Sequence, residues 1–167
     1  MATEDVLSGY ITNRDAVPIT HTTGAQAGGT IKRAGGTVEA AVADVGSTYR
    51  MCSIPSNAMF PRVFLSNDAI ATAGAVNIGI YQTTANGSAV VDADHFASAV
   101  ACTSAQKNLE ATHESGVYGV EDIEKPLWEA LGLSEDPKCD YDVVLTTSTA
   151  FQGAGTLSLV VEYTTNQ

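Results

Sequence analysis

The sequence has few charged residues and no long apolar run. Only 16% of its 167 residues are charged, against about a quarter in an average soluble domain, while 44% are hydrophobic. The longest uncharged windows, 69–91 and 143–161, contain Thr, Gly and amide side chains, so neither is apolar enough to span a bilayer. We therefore expect no membrane partner, and we expect these polar uncharged stretches to form strands.

Basic residues are scarce, and the resulting negative charge is unevenly distributed. The net charge is −11; residues 1–66 carry five basic and five acidic side chains, whereas residues 67–167 carry three and fourteen. This balance repels phosphate groups, so we expect no nucleic acid partner. We expect the neutral N-terminal part to lie against protein and the acidic part to face solvent.

Cysteine and histidine are few and widely separated. The sequence has three of each, at Cys52, Cys102, Cys139, His21, His95 and His113. None stands at a metal-ligand spacing from another, so we expect no metal, cofactor or disulfide. The first residues lack the basic start and apolar run of a secretory signal, which favours reduced thiols and synthesis in a cytoplasm.

Recognisable catalytic patterns are also missing. There is no Gly-x-Ser-x-Gly and no phosphate-binding glycine loop. The carboxylates of residues 110–142 are more typical of a solvated acidic face than of a glycosidase pair. Asp92 and Asp94 begin like a calcium loop, but the residues that follow do not complete it, so they favour a capping turn. We expect that this protein is not an enzyme.

Alternation of apolar and polar residues is the strongest positive signal. In 155–163, every second residue is apolar, which predicts a strand with one buried face near the end of the chain. Similar patterns recur upstream, including one that places Val42 on the inner face of the first strand. The predicted core consists of Val76, Ile78, Ile80, Val143, Leu145, Leu157, Leu159 and Val161.

The strands and turns together predict the fold class. About eight short strands and one short helix near 126–132 indicate an all-β domain, an antiparallel β-sandwich of jelly-roll type, over residues 31–167. Pro126 suits the start of that helix and Gly132 its end. Trp128 is expected to cover the open end of the core. We expect Asp92–Asp94 to end a hairpin and cap a helical turn, and residues 103–125 to form a loop.

Residues 1–30 differ from the rest of the chain because they are rich in Gly and Pro and lack periodicity. This composition predicts an extended N-terminal arm. Its apolar residues are the candidate contacts with a neighbouring subunit or another protein surface, and Arg14 could pair with a carboxylate there. The candidate interface residues are Tyr10, Ile11, Arg14, Val17 and Ile19.

The order of these elements over residues 30–165 resembles the small β-rich virion proteins of tailed bacteriophages, of the type that decorates or cements the head. The segments that carry the resemblance are 47–56, 62–68, 76–81, 91–97, 127–132, 141–145 and 155–163. The resemblance implies a non-enzymatic protein, commonly a homotrimer. It would be made in the bacterial host cytoplasm and would lie on the exterior of the phage head, against the lattice of the major capsid protein.

Other functions fit the same strand pattern. The protein could occupy another virion position, as a head–tail or tail protein, or it could be a carbohydrate-binding β-sandwich. A jelly-roll enzyme is the least favoured. The arm separates the head-decoration function from the sugar-binding one, because a free-standing sugar module has little need of thirty Gly- and Pro-rich residues.

Overall fold

Eight antiparallel strands form two facing sheets in this computed structural model, which describes residues 6–70 and 72–166. The strands are β1 (Lys32–Ala40), β2 (Thr48–Pro55), β3 (Ala58–Asn67), β4 (Ala75–Gln82), β5 (Val90–Ala101), β6 (Gln106–Glu110), β7 (Asp140–Thr149) and β8 (Gly155–Thr165). Two short helices, α1 (Gly9–Asp15) and α2 (Leu127–Ala130), and two 3₁₀ turns, Thr84–Asn86 and Val120–Asp122, lie between or before them.

The strand order is that of a jelly roll. Sheet 1 has the order β1-β8-β3-β6 and sheet 2 the order β2-β7-β4-β5. Most connections cross from one sheet to the other, so the chain wraps around a single core. The predicted all-β sandwich is confirmed, as is the short helix within 126–132. In the part of the chain that the structure describes, no helix has the length and apolarity needed to cross a membrane.

The core lies between the two sheets and is built by residues at every second strand position. All eight predicted core residues are buried, which confirms the faces assigned from the alternation. Leu159 of β8 lies opposite Leu65 of β3 and Gly36 of β1. Across sheet 2, Ile78 and Ile80 of β4 lie opposite Leu145 and Val143 of β7.

The registers show which loops share an end of the sandwich. Lys32 lies opposite Tyr163, and Pro55 lies opposite Asp140. The N-terminal segment, the β2–β3 and β4–β5 turns and the long β6–β7 connection therefore meet at one end, which we call the arm end. The β1–β2, β3–β4, β5–β6 and β7–β8 connections lie at the other, the far end.

Strand β5 departs from the sequence prediction. Asp92–Asp94 do not end a hairpin or cap a helical turn, because β5 continues to Ala101. Ile78 lies opposite Ala97 whereas Ile80 lies opposite Asp92, so β5 bulges outward across from Gly79. A side chain at Gly79 would collide with the main chain of the bulge, which explains the glycine. These inserted residues interrupt the alternation of inward and outward side chains along β5. The sequence pattern therefore did not predict the strand.

Other local expectations were also wrong. The predicted loop 103–125 contains β6, a short edge strand whose exposed residues lack alternation. Val42 is exposed because β1 ends at Ala40. Leu127, rather than Trp128, is buried in the core, while Trp128 is half-buried. Within the predicted extended arm, α1 forms because Ser8 caps it, its Oγ accepting from the Ile11 amide at 3.4 Å.

Arg50 connects three parts of sheet 2. Its Nη1 donates to Asp142 Oδ2 of β7 at 2.5 Å and to the Gln82 carbonyl at the end of β4 at 2.9 Å. Its Nη2 donates to the Ser88 carbonyl in the β4–β5 turn at 3.3 Å. The Ser53 hydroxyl donates to the second oxygen of Asp142. Asp142 is thus almost fully enclosed with both oxygens bonded.

Candidate interaction site

The five predicted interface residues all lie in residues 6–20, which we call the arm segment. Tyr10, Ile11 and Arg14 lie on α1, and Val17 and Ile19 lie in the extended chain after it. Val17 is 97% exposed and Ile19 is 66% exposed, Tyr10 is also exposed, and only Ile11 is half-buried. No residue of α1 is buried. The structure therefore brings the predicted residues together on one exposed element.

Hydrogen bonding isolates the arm segment from the sandwich. Thr12 N donates to the Ser8 carbonyl at 2.9 Å, and Thr20 N donates to the Asn13 carbonyl at 3.2 Å. Every hydrogen bond that residues 6–20 make within the described part of the chain joins two residues of that segment. Within the described residues, the segment is thus not hydrogen-bonded to the β-domain.

Arg14 is already paired within the arm segment. Its guanidinium donates to both oxygens of Asp15, at 2.7 and 2.9 Å. This bond holds the pKa of the Asp15 carboxyl below its usual range. The pair makes residues 6–20 electrically neutral and uses Nε and Nη2 of Arg14, so the predicted bond to a partner carboxylate could form through Nη1.

The root of the arm, residues 23–31, is fixed to the sandwich. Ala25 is buried, and its carbonyl accepts from the Thr164 hydroxyl at 3.4 Å. An apolar groove of about 230 Å³ lies beside it, lined in part by Ile31, Phe60 and Tyr163. Phe60 has a φ of 51°, at a bulge between β3 and β8. Such strain in a bulky residue is uncommon.

The long β6–β7 connection, residues 111–139, lies at the same end as the arm, and we call it the acidic loop. Its charged residues are Glu114, Glu121, Asp122, Glu124, Lys125, Glu129, Glu135, Asp136 and Lys138. Trp128 N donates to the Ser56 carbonyl at 2.9 Å, and the Ser56 hydroxyl donates to Asp136 at 2.5 Å. That bond is the largest cause of a lowered pKa for the Asp136 carboxyl.

The arm root and the acidic loop share an open groove of about 450 Å³. Thr23 and Gln26 line it from the root, and Glu124, Pro126 and Asp136 line it from the loop. The neutral root and the acidic loop therefore lie side by side at the arm end. Sequence reasoning missed this proximity, because it depends on the directions of all the strands and β6 was not predicted.

No sequence pattern indicated the apolar groove at Phe60. Phe60 precedes Pro61 in β3, and the bulge opposite β8 between Met59 and Arg62 interrupts the alternation of the strand there. Across residues 6–70 and 72–166, no three His, Cys, Asp or Glu side chains are grouped so that they could hold a metal ion.

Comparison with known proteins gives one structural similarity. No family model matches the sequence, and no curated protein matches it. The chain is similar to a chain in the solved structure described as the Cyanophage Pam1 capsid asymmetric unit, with a TM-score of 0.48 and 15% sequence identity. The match covers 82% of this chain and 86% of the other. Similarity at this level does not assign the chain to a family.

Proposed function

We propose that this protein is a non-enzymatic structural component of a tailed-bacteriophage head. In this proposal it decorates or cements the capsid by binding the lattice of the major capsid protein, as a homo-oligomer and most simply a trimer. It is made in the host cytoplasm and ends on the head exterior. The observation that carries the proposal is the arm segment, which exposes apolar residues and bonds only within itself.

The energetics of the arm segment favour a partner. The core of the β-domain is complete without residues 6–20, so Val17 and Ile19 gain nothing from their present positions. Burying an exposed Val or Ile side chain against a partner contributes about 1.5–3 kcal/mol each. Ordering costs reduce this gain. Several arms in one oligomer would still hold firmly, because linked weak contacts reinforce one another.

The charge at the arm end indicates which charge the bound surface should carry. The neutral arm segment lies beside the acidic loop, which contains seven carboxylates and only two lysines. A lattice surface that accepts the arm in an apolar recess should therefore carry basic groups around that recess. Such contacts steer association and weaken as salt is added.

The proposal can be tested by binding to phage particles that have been stripped of this protein. We expect the double variant Val17→Ser/Ile19→Ser to lose at least about tenfold in affinity, which corresponds to about 1.4 kcal/mol. Val42→Ser/Val45→Ser is the matched control, because it changes two equally exposed valines at the far end. Equal loss in both variants, or no loss in the first, would refute attachment through the arm.

Truncated chains test the same proposal in a second way. A chain lacking residues 2–22 keeps Ala25 and its bond to Thr164, so it should melt cooperatively at the wild-type temperature and fail to decorate particles. A chain lacking residues 2–28 should also fail to bind but melt lower. Unchanged decoration by the shorter deletion would place attachment on the faces or loops of the β-domain. Binding to tails rather than heads would favour a head–tail or tail role.

A further inference from the structure

His95 occupies an unusual position in the bulge of β5. Its side chain is only 1% exposed. The ring packs edge-on against Phe96, with centroids 5.0 Å apart, and lies tilted against Tyr118 of the acidic loop, with centroids 5.4 Å apart. Tyr118 in turn stacks flat on His113, at 5.1 Å. The imidazole thus lies in an aromatic enclosure between β5 and the acidic loop.

The hydrogen bonds of the His95 ring suit its neutral form. Nδ1 lies 3.0 Å from Oδ2 of Asp92. Nε2 is buried and has no hydrogen-bond partner among the residues that the structure describes. With the proton on Nδ1, the ring donates to Asp92, and Nε2 carries only a lone pair. A second proton would place a charged N–H donor on Nε2 without an acceptor, which is costly in a buried site.

The main chain around His95 holds the acidic loop against β5. The His95 carbonyl accepts from Tyr118 N and from the Ser115 hydroxyl, both at 3.0 Å. Ser115 N donates to the Phe96 carbonyl at 3.1 Å. On the other side, the carboxylate of Glu114 accepts from Ser98 N at 2.7 Å. Residues 113–120, which we call the latch segment, are therefore fastened where the imidazole packs.

The charged groups that face the ring come from both elements. Asp92 and Asp94 lie on β5, and Asp122 lies on the acidic loop, where it binds Lys125 at 2.7 Å. These carboxylates favour the protonated ring, but burial outweighs them and lowers the pKa of His95.

We propose that His95 is an acid-sensitive latch, whose neutral ring keeps the latch segment on β5 and whose protonation at Nε2 releases that segment while both sheets stay folded. The released ring reaches water, which solvates the new N–H donor. Release would also free the Tyr118 and Ser115 amides and change how the acidic loop is presented at the arm end. This device is independent of the protein that the arm binds.

The direction of the pH dependence follows from the site. In the released state, the ring has an ordinary histidine pKa of about 6.5. In the closed state its pKa is lower. Above the ordinary value both states are neutral and closure is fully favoured. As the pH falls below that value, the released state takes up a proton that the closed state resists, so closure weakens.

Amide hydrogen exchange of the full-length protein, followed by NMR, tests the latch. Between about pH 7.5 and about pH 5, where histidine titrates, we expect the protection factors of Ser115 and Tyr118 to fall at least about fivefold. Those of Val143 and Leu159, in the centres of the two sheets, should stay within about twofold. Equal loss in the latch segment and the sheets, or no loss in either, would overturn the proposal.

Variants identify the titrating group. His95→Gln can still donate to Asp92 and has no titrating ring, so the protection of the latch segment should become independent of pH in this range. His113→Gln, on the same loop, should keep the wild-type dependence of protection on pH.

If His95→Gln does not fold, Asp92→Asn is informative. Losing the carboxylate should lower the pKa of the His95 ring, which ¹⁵N chemical shifts measure. A raised pKa in Asp92→Asn, or loss of the pH dependence in His113→Gln, would overturn the assignment.

Discussion

At the scale of single residues, burial on alternate positions of β8 decides stability. Leu157, Leu159 and Val161 are fully buried, while the side chains between them are only half-buried on the outer face of sheet 1. The same strand therefore supplies both a test residue and its control.

Leu159→Ala should destabilise the protein by roughly 2–5 kcal/mol, because it opens a cavity between two sheets that cannot collapse freely. Val160→Ala, the next residue on the outer face, should cost less than about 1 kcal/mol. Urea unfolding followed by tryptophan fluorescence or circular dichroism measures both. Similar costs for the two variants would show that the inner and outer faces contribute alike.

Single residues also show where sequence reasoning fails. The apolar face of 126–132 correctly indicated that a helical turn caps the core, yet Leu127 fills that role and Trp128 does not. A turn this short does not fix which of two adjacent apolar residues points inward. In the sequence, Val42 continues the apolar alternation of β1, but the hydrogen-bonded pairing of β1 with β8 ends at Ala40, opposite Gly155.

At the scale of elements, Arg50 joins β2, β7 and the β4–β5 turn. Arg50→Met leaves the enclosed carboxylate of Asp142 with Ser53 as its remaining side-chain partner, and frees two carbonyls from their shared donor. We expect a loss of about 1–3 kcal/mol in the free energy of unfolding, the usual cost of an unsatisfied, partly buried polar group.

Arg33→Met is the matched control for Arg50→Met. Arg33 also pairs with a carboxylate, that of Glu162, but its side chain is 72% exposed. An exposed pair contributes at most about 1 kcal/mol, so this variant should unfold nearly as the wild type does. If Arg33→Met proved the more damaging change, the partly enclosed network of Arg50 would not be what holds these elements together.

Elements with unbroken periodicity could be predicted from the sequence, and irregular ones could not. Strands β4, β7 and β8 pair in register over most of their lengths, so their alternation survives in the sequence. The bulge in β5 shifts the inward face partway along, and β6 is too short and too exposed to show a face. Helix α1 depends on one capping serine in a Gly- and Pro-rich stretch, a signal that composition obscures.

At the scale of the whole molecule, the arm root and the acidic loop lie at the same end of the sandwich. The prediction of an arm over residues 1–30 rests on a composition that differs sharply from that of the β-domain. Its position beside the acidic loop was not predictable, because that depends on the directions of all eight strands. The groove at Phe60 depends on a backbone conformation with no sequence signature.

We expect the purified protein to be a homo-oligomer, most simply a trimer. The low charge content and the exposed apolar arm leave surface that favours burial between copies. Light scattering at micromolar concentration should give about three times the chain mass of 17.3 kDa. A mass equal to that of one chain, stable across concentrations, would contradict self-association in solution.

The two ends of the sandwich differ in what they could carry as a display scaffold. Because β1 and β8 are paired, a cargo fused after the C-terminus would begin beside the arm root and crowd the proposed contact surface. The exposed residues 103–105 project from the opposite end, between β5 and β6. A foreign peptide grafted there would point away from the arm, so the strand pairing that places the proposed contact surface at the arm end leaves the far end available for engineered epitopes.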